Sequence, residues 1–95
     1  MQIGSKRLTA SGNIDDGSSP CRVFAVIVKS GATAGSVQLL DNGASGTEYD
    51  RYDGRTVINQ SIIVSYPGGL LLPHFGYLAL DGNTTYAVVI YEREG

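Results

Sequence analysis

Tryptophan is absent from this chain, and cysteine, histidine and methionine occur once each. A single cysteine, Cys21, cannot close an internal disulfide, and with one histidine there is no Cys/His set to hold zinc. Without tryptophan there is no broad aromatic platform on which to grip a sugar chain. Charge of one sign is also lacking: seven Lys and Arg stand against nine Asp and Glu, for a formal net charge of -2. No basic cluster exceeds Lys6-Arg7, so phosphate neutralisation, and with it nucleic-acid binding, is not expected. No apolar run approaches the roughly 18 residues that cross a bilayer, which argues against a membrane partner. The first ten residues hold Lys6 and Arg7 and no apolar signal core, pointing to a soluble chain that matures in a reducing cytoplasm. Helical periodicity over three turns is missing, and there is no internal repeat.

What is present is turn and strand. The chain has 95 residues, room for one domain and one core. Surface scaling gives about 5,200 Å² of accessible area when folded and about 64% of the chain's surface buried, a thin margin of stability. With disulfide and metal excluded, oligomerisation is the staple left to so small a domain. Glycine, at 13 residues, is about twice its average share. Many tight turns between short strands account for that excess.

Residues 1–20 are polar and turn-rich and read as an N-terminal arm or edge strand (residues 2–9) followed by a loop, with residues 21–95 forming the main domain. Residues 21–30 are the strongest strand: Phe24, Val26 and Val28 are expected on one side, Val23, Ala25 and Ile27 on the other. Such two-sided apolarity predicts burial of both faces, one in the domain's core and one against a partner or covering loop. Residues 36–40 alternate as a half-buried strand. Asn42-Gly43 then supplies the positive backbone angles of a hairpin turn. Residues 47–52 form a strand without a hydrophobic side, expected at an edge or in a protruding loop. In residues 57–66, Ile62, Val64 and Tyr66 face opposite to Ser61, Ile63 and Ser65. The run Tyr66-Pro67-Gly68-Gly69 reads as a break, and Pro73 keeps residues 70–75 out of a central strand, placing Leu70, Leu71 and Leu72 in a loop or sheet edge. Residues 77–80 and 84–92 complete the set, with Tyr86, Val88 and Ile90 lining one face of the last strand. About seven or eight short strands at spacings of about ten residues predict an all-β fold, a single antiparallel β-sandwich or jelly-roll-like domain.

Residues that could carry chemistry are few. Cys21 and His74 formally offer a nucleophilic pair, yet a lone cysteine opening an apolar strand reads as a core residue and a lone histidine beside Pro73 as a polar loop tip. Asp50 and Asp53 read as a solvated turn around Arg51 and Arg55 rather than as glycosidase carboxylates. The acidic turns at Asp15-Asp16-Gly17, Asp41-Asn42-Gly43 and Asp81-Gly82-Asn83 lack the alternating ligand spacing of a calcium loop. No catalytic, metal or cofactor site is expected, and the chain reads as a non-enzyme. Six tyrosines are many for this length. Tyr66, Tyr77, Tyr86 and Tyr91 read as caps of the sandwich, whereas Tyr49 and Tyr52 lie on a strand with no core face, and contact with another chain would justify both.

Residues 31–43 (GATAGSVQLLDNG), 67–80 (PGGLLLPHFGYLAL) and 83–92 (NTTYAVVIYE) resemble small β-sandwich head decoration, or cement, proteins of tailed bacteriophages. The resemblance spans about residues 22–92 and rests on glycine placement and strand pattern. It implies a virion structural protein, made in the bacterial cytoplasm, that binds the major capsid protein on the outside of the head as a homotrimer and stabilises it. Contacts with copies or capsid are expected from Tyr49, Tyr52, Leu70, Leu71, Leu72, His74 and Phe75. The alternative is a receptor- or carbohydrate-binding module of a tail fibre or spike.

Overall fold

The computed structural model describes residues 3–15, 17–30, 36–53, 61–81 and 83–93. Among them are eight strands and no helix: β1 (Ile3–Leu8), β2 (Gly12–Asn13), β3 (Cys21–Ser30), β4 (Ser36–Asp41), β5 (Thr47–Asp53), β6 (Ser61–Leu72), β7 (Gly76–Leu80) and β8 (Thr84–Arg93). They form two four-stranded sheets, ordered β1-β8-β3-β6 and β2-β7-β4-β5. Every pairing is antiparallel. This strand order is that of a jelly roll, in which each sheet takes strands from both ends of the chain. The expected all-β sandwich is therefore the fold.

The core lies between the sheets. Val23, Val26, Val28, Ala87, Val89 and Leu72 come from one sheet, and Val37, Leu39, Tyr52 and Leu78 from the other, with Cys21 and Ile14 at one end. Burying each of the larger aliphatic side chains contributes about 1.5–3 kcal/mol. Glycine at position 76 is required by this packing: a Cβ there would stand 2.8 Å from Cys21 Sγ and from Ile14 Cδ1.

Two expectations are corrected and two are decided between their alternatives. In β3 the inward residues are Cys21, Val23, Val26 and Val28, so the alternation changes parity within the strand. The cause is a β-bulge, since Val23 and Ala25 pair with the consecutive residues Tyr91 and Ile90 and leave Phe24 unopposed. On the other side of β3, Val23 pairs with Leu70 and Ala25 with Ser65, so residues 66–69 form a wide bulge inside β6 rather than a break. Gly68 and Gly69 supply its left-handed turn at φ 79° and 88°. Pro67 is tolerated because β6 is an edge strand. Of the two places expected for Leu70, Leu71 and Leu72, loop or sheet edge, the structure takes the sheet edge.

Residues 1–20 are the second case of a choice between alternatives. Of the two readings, arm or edge strand, the structure takes the second, because β1 pairs with β8 along its whole length. The following segment adds the short β2, which the sequence did not suggest, and sends Ile14 into the core at 0% exposure. Asp15 then fastens the segment, accepting hydrogen bonds from Arg93 Nε at 2.7 Å and from the Tyr91 hydroxyl at 3.4 Å. Residues 57–60, expected to open the sixth strand, lie outside the described residues.

Candidate functional site

The two sheets differ in what they present outward. On the β2-β7-β4-β5 sheet the surface is polar: Gln38 Nε2 and Arg51 Nε each donate to Glu48 Oε1 at 2.9 Å. These two hydrogen bonds, the one from Gln38 first, hold the Glu48 carboxyl below its usual range. Tyr49, on β5 of the same sheet, is the one large hydrophobic residue exposed there among the described residues.

The outer face of the β1-β8-β3-β6 sheet is apolar. Cross-strand register puts its residues into rows: Ile3, Glu92, Arg22 and Leu71; then Ser5, Ile90, Ala25 and Ser65; then Arg7, Val88, Ile27 and Ile63; and last Tyr86 and Lys29. Ile3 is 65% exposed, Ile63 66% and Leu71 40%. Around an apolar centre of Ile90, Ala25, Val88 and Ile27 lie Ser5, Arg7, Arg22, Lys29 and Ser65, the arrangement of a contact surface, while Glu92 in the first row is buried at 4% exposure. Arg7 and Arg22 are braced from within the chain. Arg7 stacks over the Tyr86 ring at 4.5 Å, and the side chains of Arg22 and Phe24 lie directly on Gly69, where a Cβ would collide with them.

The residues expected to make contacts are dispersed by the fold. Leu71 belongs to the apolar face just described. Leu72 points the opposite way, into the core at 0% exposure, and Leu70 packs against that core. Tyr49 is exposed at the bulge in β5. Tyr52 is not: it pairs with Val37, whose side chain faces the core, and this register turns Tyr52 into the core as well. Its burial needs no other chain. The Tyr52 hydroxyl donates to the Tyr66 hydroxyl, which donates to Asp50 Oδ2, both at 2.5 Å. The chain of three ties the β5 edge of one sheet to the β6 edge of the other. Burial, reinforced by the hydrogen bond to Asp50, pushes Tyr66 up to about 12. Tyr52 is raised as well, by burial first and by its hydrogen bond to Tyr66 second.

His74 and Phe75 sit in the short link between β6 and β7. The carboxylate of Asp41, buried at the end of β4, accepts from the His74 backbone N–H at 2.9 Å and from His74 Nδ1 at 2.7 Å. This fixes the ring while leaving the side chain largely exposed. A held imidazole is one element of a nucleophile pair, but Cys21 is enclosed in the core and Asp41 is the hydrogen-bond partner of His74 among the described residues. Phe75 is half-buried against the turn at Gly43. Sequence reasoning placed Ile27 on a second apolar side of its strand. It missed the exposed Ile3, a single apolar residue in a polar segment, and it set Ile63 opposite to Ile62 and Val64 without assigning it a contact; only the register gathers the two on one face. No protein-family model matches the chain, and no curated protein matches it.

Proposed function

We propose that this protein is a non-enzymatic binding module that acts as a decoration protein on the outside of a bacteriophage head. The observation that carries the binding role is the apolar outer face of the β1-β8-β3-β6 sheet, with Ile3, Ile63 and Leu71 open to solvent. In a domain of 95 residues such a face costs stability and solubility unless another surface covers it. The head is the surface to which the sequence resemblance leads, and a jelly roll is a scaffold on which such a binding face can be carried. Several copies linking neighbouring capsid subunits stabilise the shell by mass action. The test is to add the purified protein to heads that lack it, follow co-sedimentation, and heat heads with and without it. Binding together with a higher rupture temperature is the expected result. Absence of binding at micromolar concentration, or binding to a glycan array in its place, overturns the head assignment.

A further inference from the structure

We infer that β1 is a strap that lifts off the sandwich as a unit, hinged at Thr9 and Ala10, and so opens and closes the edge of β8. β1 lies at the end of its sheet and pairs along its whole length with β8 and with no other strand. Its backbone ladder is complete, yet its residues are exposed from Ile3 to Arg7 and only Leu8 is half-buried. Alternation turns Gly4, Lys6 and Leu8 to the same side as their partners Tyr91, Val89 and Ala87, but of the three only Leu8 packs against the core. The cause lies in the other sheet. Tyr52 and Tyr66 join the β5 and β6 edges, so β1 lies over β2, and β2 has just the two residues Gly12 and Asn13 with which to cover it.

The segment that follows is held in the opposite way. The Ser11 hydroxyl accepts from the Leu80 N–H at 2.9 Å and donates to the Leu80 carbonyl at 3.2 Å. Ile14 donates its N–H to the Gly76 carbonyl at 2.9 Å and is fully buried, and Asp15 accepts from Arg93. Thr9 and Ala10, both exposed, form a bend between β1 and this anchor. The ease with which a segment opens follows the apolar area and hydrogen bonds it shares with the rest. Residues 11–15 share both, whereas β1 shares a ladder and little apolar area. β1 therefore peels from Ile3 toward its last two residues, where Arg7 over Tyr86 and Leu8 against the core act as a clasp. Lifting it bares the backbone of β8 from Ala87 to Glu92, a sheet edge of the kind that accepts an extended chain. β1 still adds to the stability of the fold; what sets it apart is that it opens without the rest.

Native-state hydrogen exchange of the full chain, resolved by nuclear magnetic resonance, tests this. Amides of the β1–β8 ladder should exchange at least about 100-fold faster than those of the β3–β8 ladder, with rates that hardly respond to low denaturant, the mark of an opening that exposes little surface. The Ile14 amide should keep the protection of the second group. Arg7→Ala loosens the clasp and should speed the β1–β8 group about two- to fivefold, as loss of an exposed cation–π contact requires. Leu39→Val, in the core of the other sheet, should speed the β3–β8 group several-fold and leave the β1–β8 group unchanged, because the core is equally intact with the strap up or down. Equal protection of the two groups with one denaturant dependence means that β1 opens only when the whole domain unfolds, and it overturns the inference. So does fast exchange at Ile14, which places the hinge elsewhere, or a Leu39→Val that speeds both groups alike. The exchange pattern is independent of what the outer face binds.

Discussion

Removing the hydroxyl of Tyr66 breaks two hydrogen bonds with one atom, and the structure fixes how that loss compares with losing Tyr52. In Tyr66→Phe the buried Tyr52 hydroxyl has no acceptor, and Asp50 loses a donor at 2.5 Å. The first costs about 1 kcal/mol as a neutral bond and the second somewhat more as a bond to a charged group. Because Asp50 and Tyr66 are only half-buried and recover water, the sum is about 2 kcal/mol. Tyr52→Phe breaks the first bond alone, for about 1 kcal/mol. In the double variant nothing is left to break, so its cost should equal that of Tyr66→Phe rather than the sum of the two. This is a coupling of about 1 kcal/mol. For a domain of this size 1 kcal/mol moves the melting point by about 4–8 °C, so thermal melts at one fixed protein concentration resolve the three variants. The same phenols set an alkaline limit. Both are raised in the folded state, so their contribution is fully present below the unfolded value of about 10 and is lost as pH climbs toward 12. A rise from about 10 to about 12 amounts to at most roughly 2.7 kcal/mol, and solvent at half-exposed Tyr66 reduces this to about 1 kcal/mol. Urea midpoints should fall between pH 10 and 12 in the wild type and stay flatter in the double variant. Strict additivity of the single variants, or an equal alkaline fall in the double, would refute a connected chain.

The remaining predictions concern the bulge, the N-terminal strand and the core. Gly69→Ala meets both an unfavourable φ of 88° and the side chains of Arg22 and Phe24, whereas Gly68→Ala meets only its φ of 79° with nothing within 4 Å. Chemical denaturation should show Gly69→Ala about 1 kcal/mol or more worse than Gly68→Ala. Deleting residues 1–10 removes β1 and uncovers the edge of β8, so the melting temperature should fall sharply, and an unchanged one would mean that β1 adds nothing. Leu72→Ala opens a cavity in the core and should cost about 2–5 kcal/mol, while Leu71→Ala one residue away, measured at dilute concentration, should cost under about 1 kcal/mol. Equal costs would contradict the strand alternation across Leu71 and Leu72.

Local chemistry determined the elements. Alternating apolar residues in β3, β4 and β8, and turn residues between them, were enough to read a small antiparallel sandwich, because side-chain period and turn preference are short-range properties. The backbone angles of Asn42 and Gly43, φ 77° and 97°, are of the same kind. The tertiary structure decided the direction of side chains wherever a bulge intervenes. A single unopposed residue at Phe24 reverses which half of β3 faces inward, the slip in β5 leaves Tyr49 unopposed and exposed, and residues 66–69 let β6 run on through Pro-Gly-Gly. A bulge is a property of two strands held in register, so no single segment announces it. The outer apolar face is of the same origin. Ile3 lies far along the chain from Ile63 and Leu71 of β6, and only the order β1-β8-β3-β6 brings it onto one surface with them.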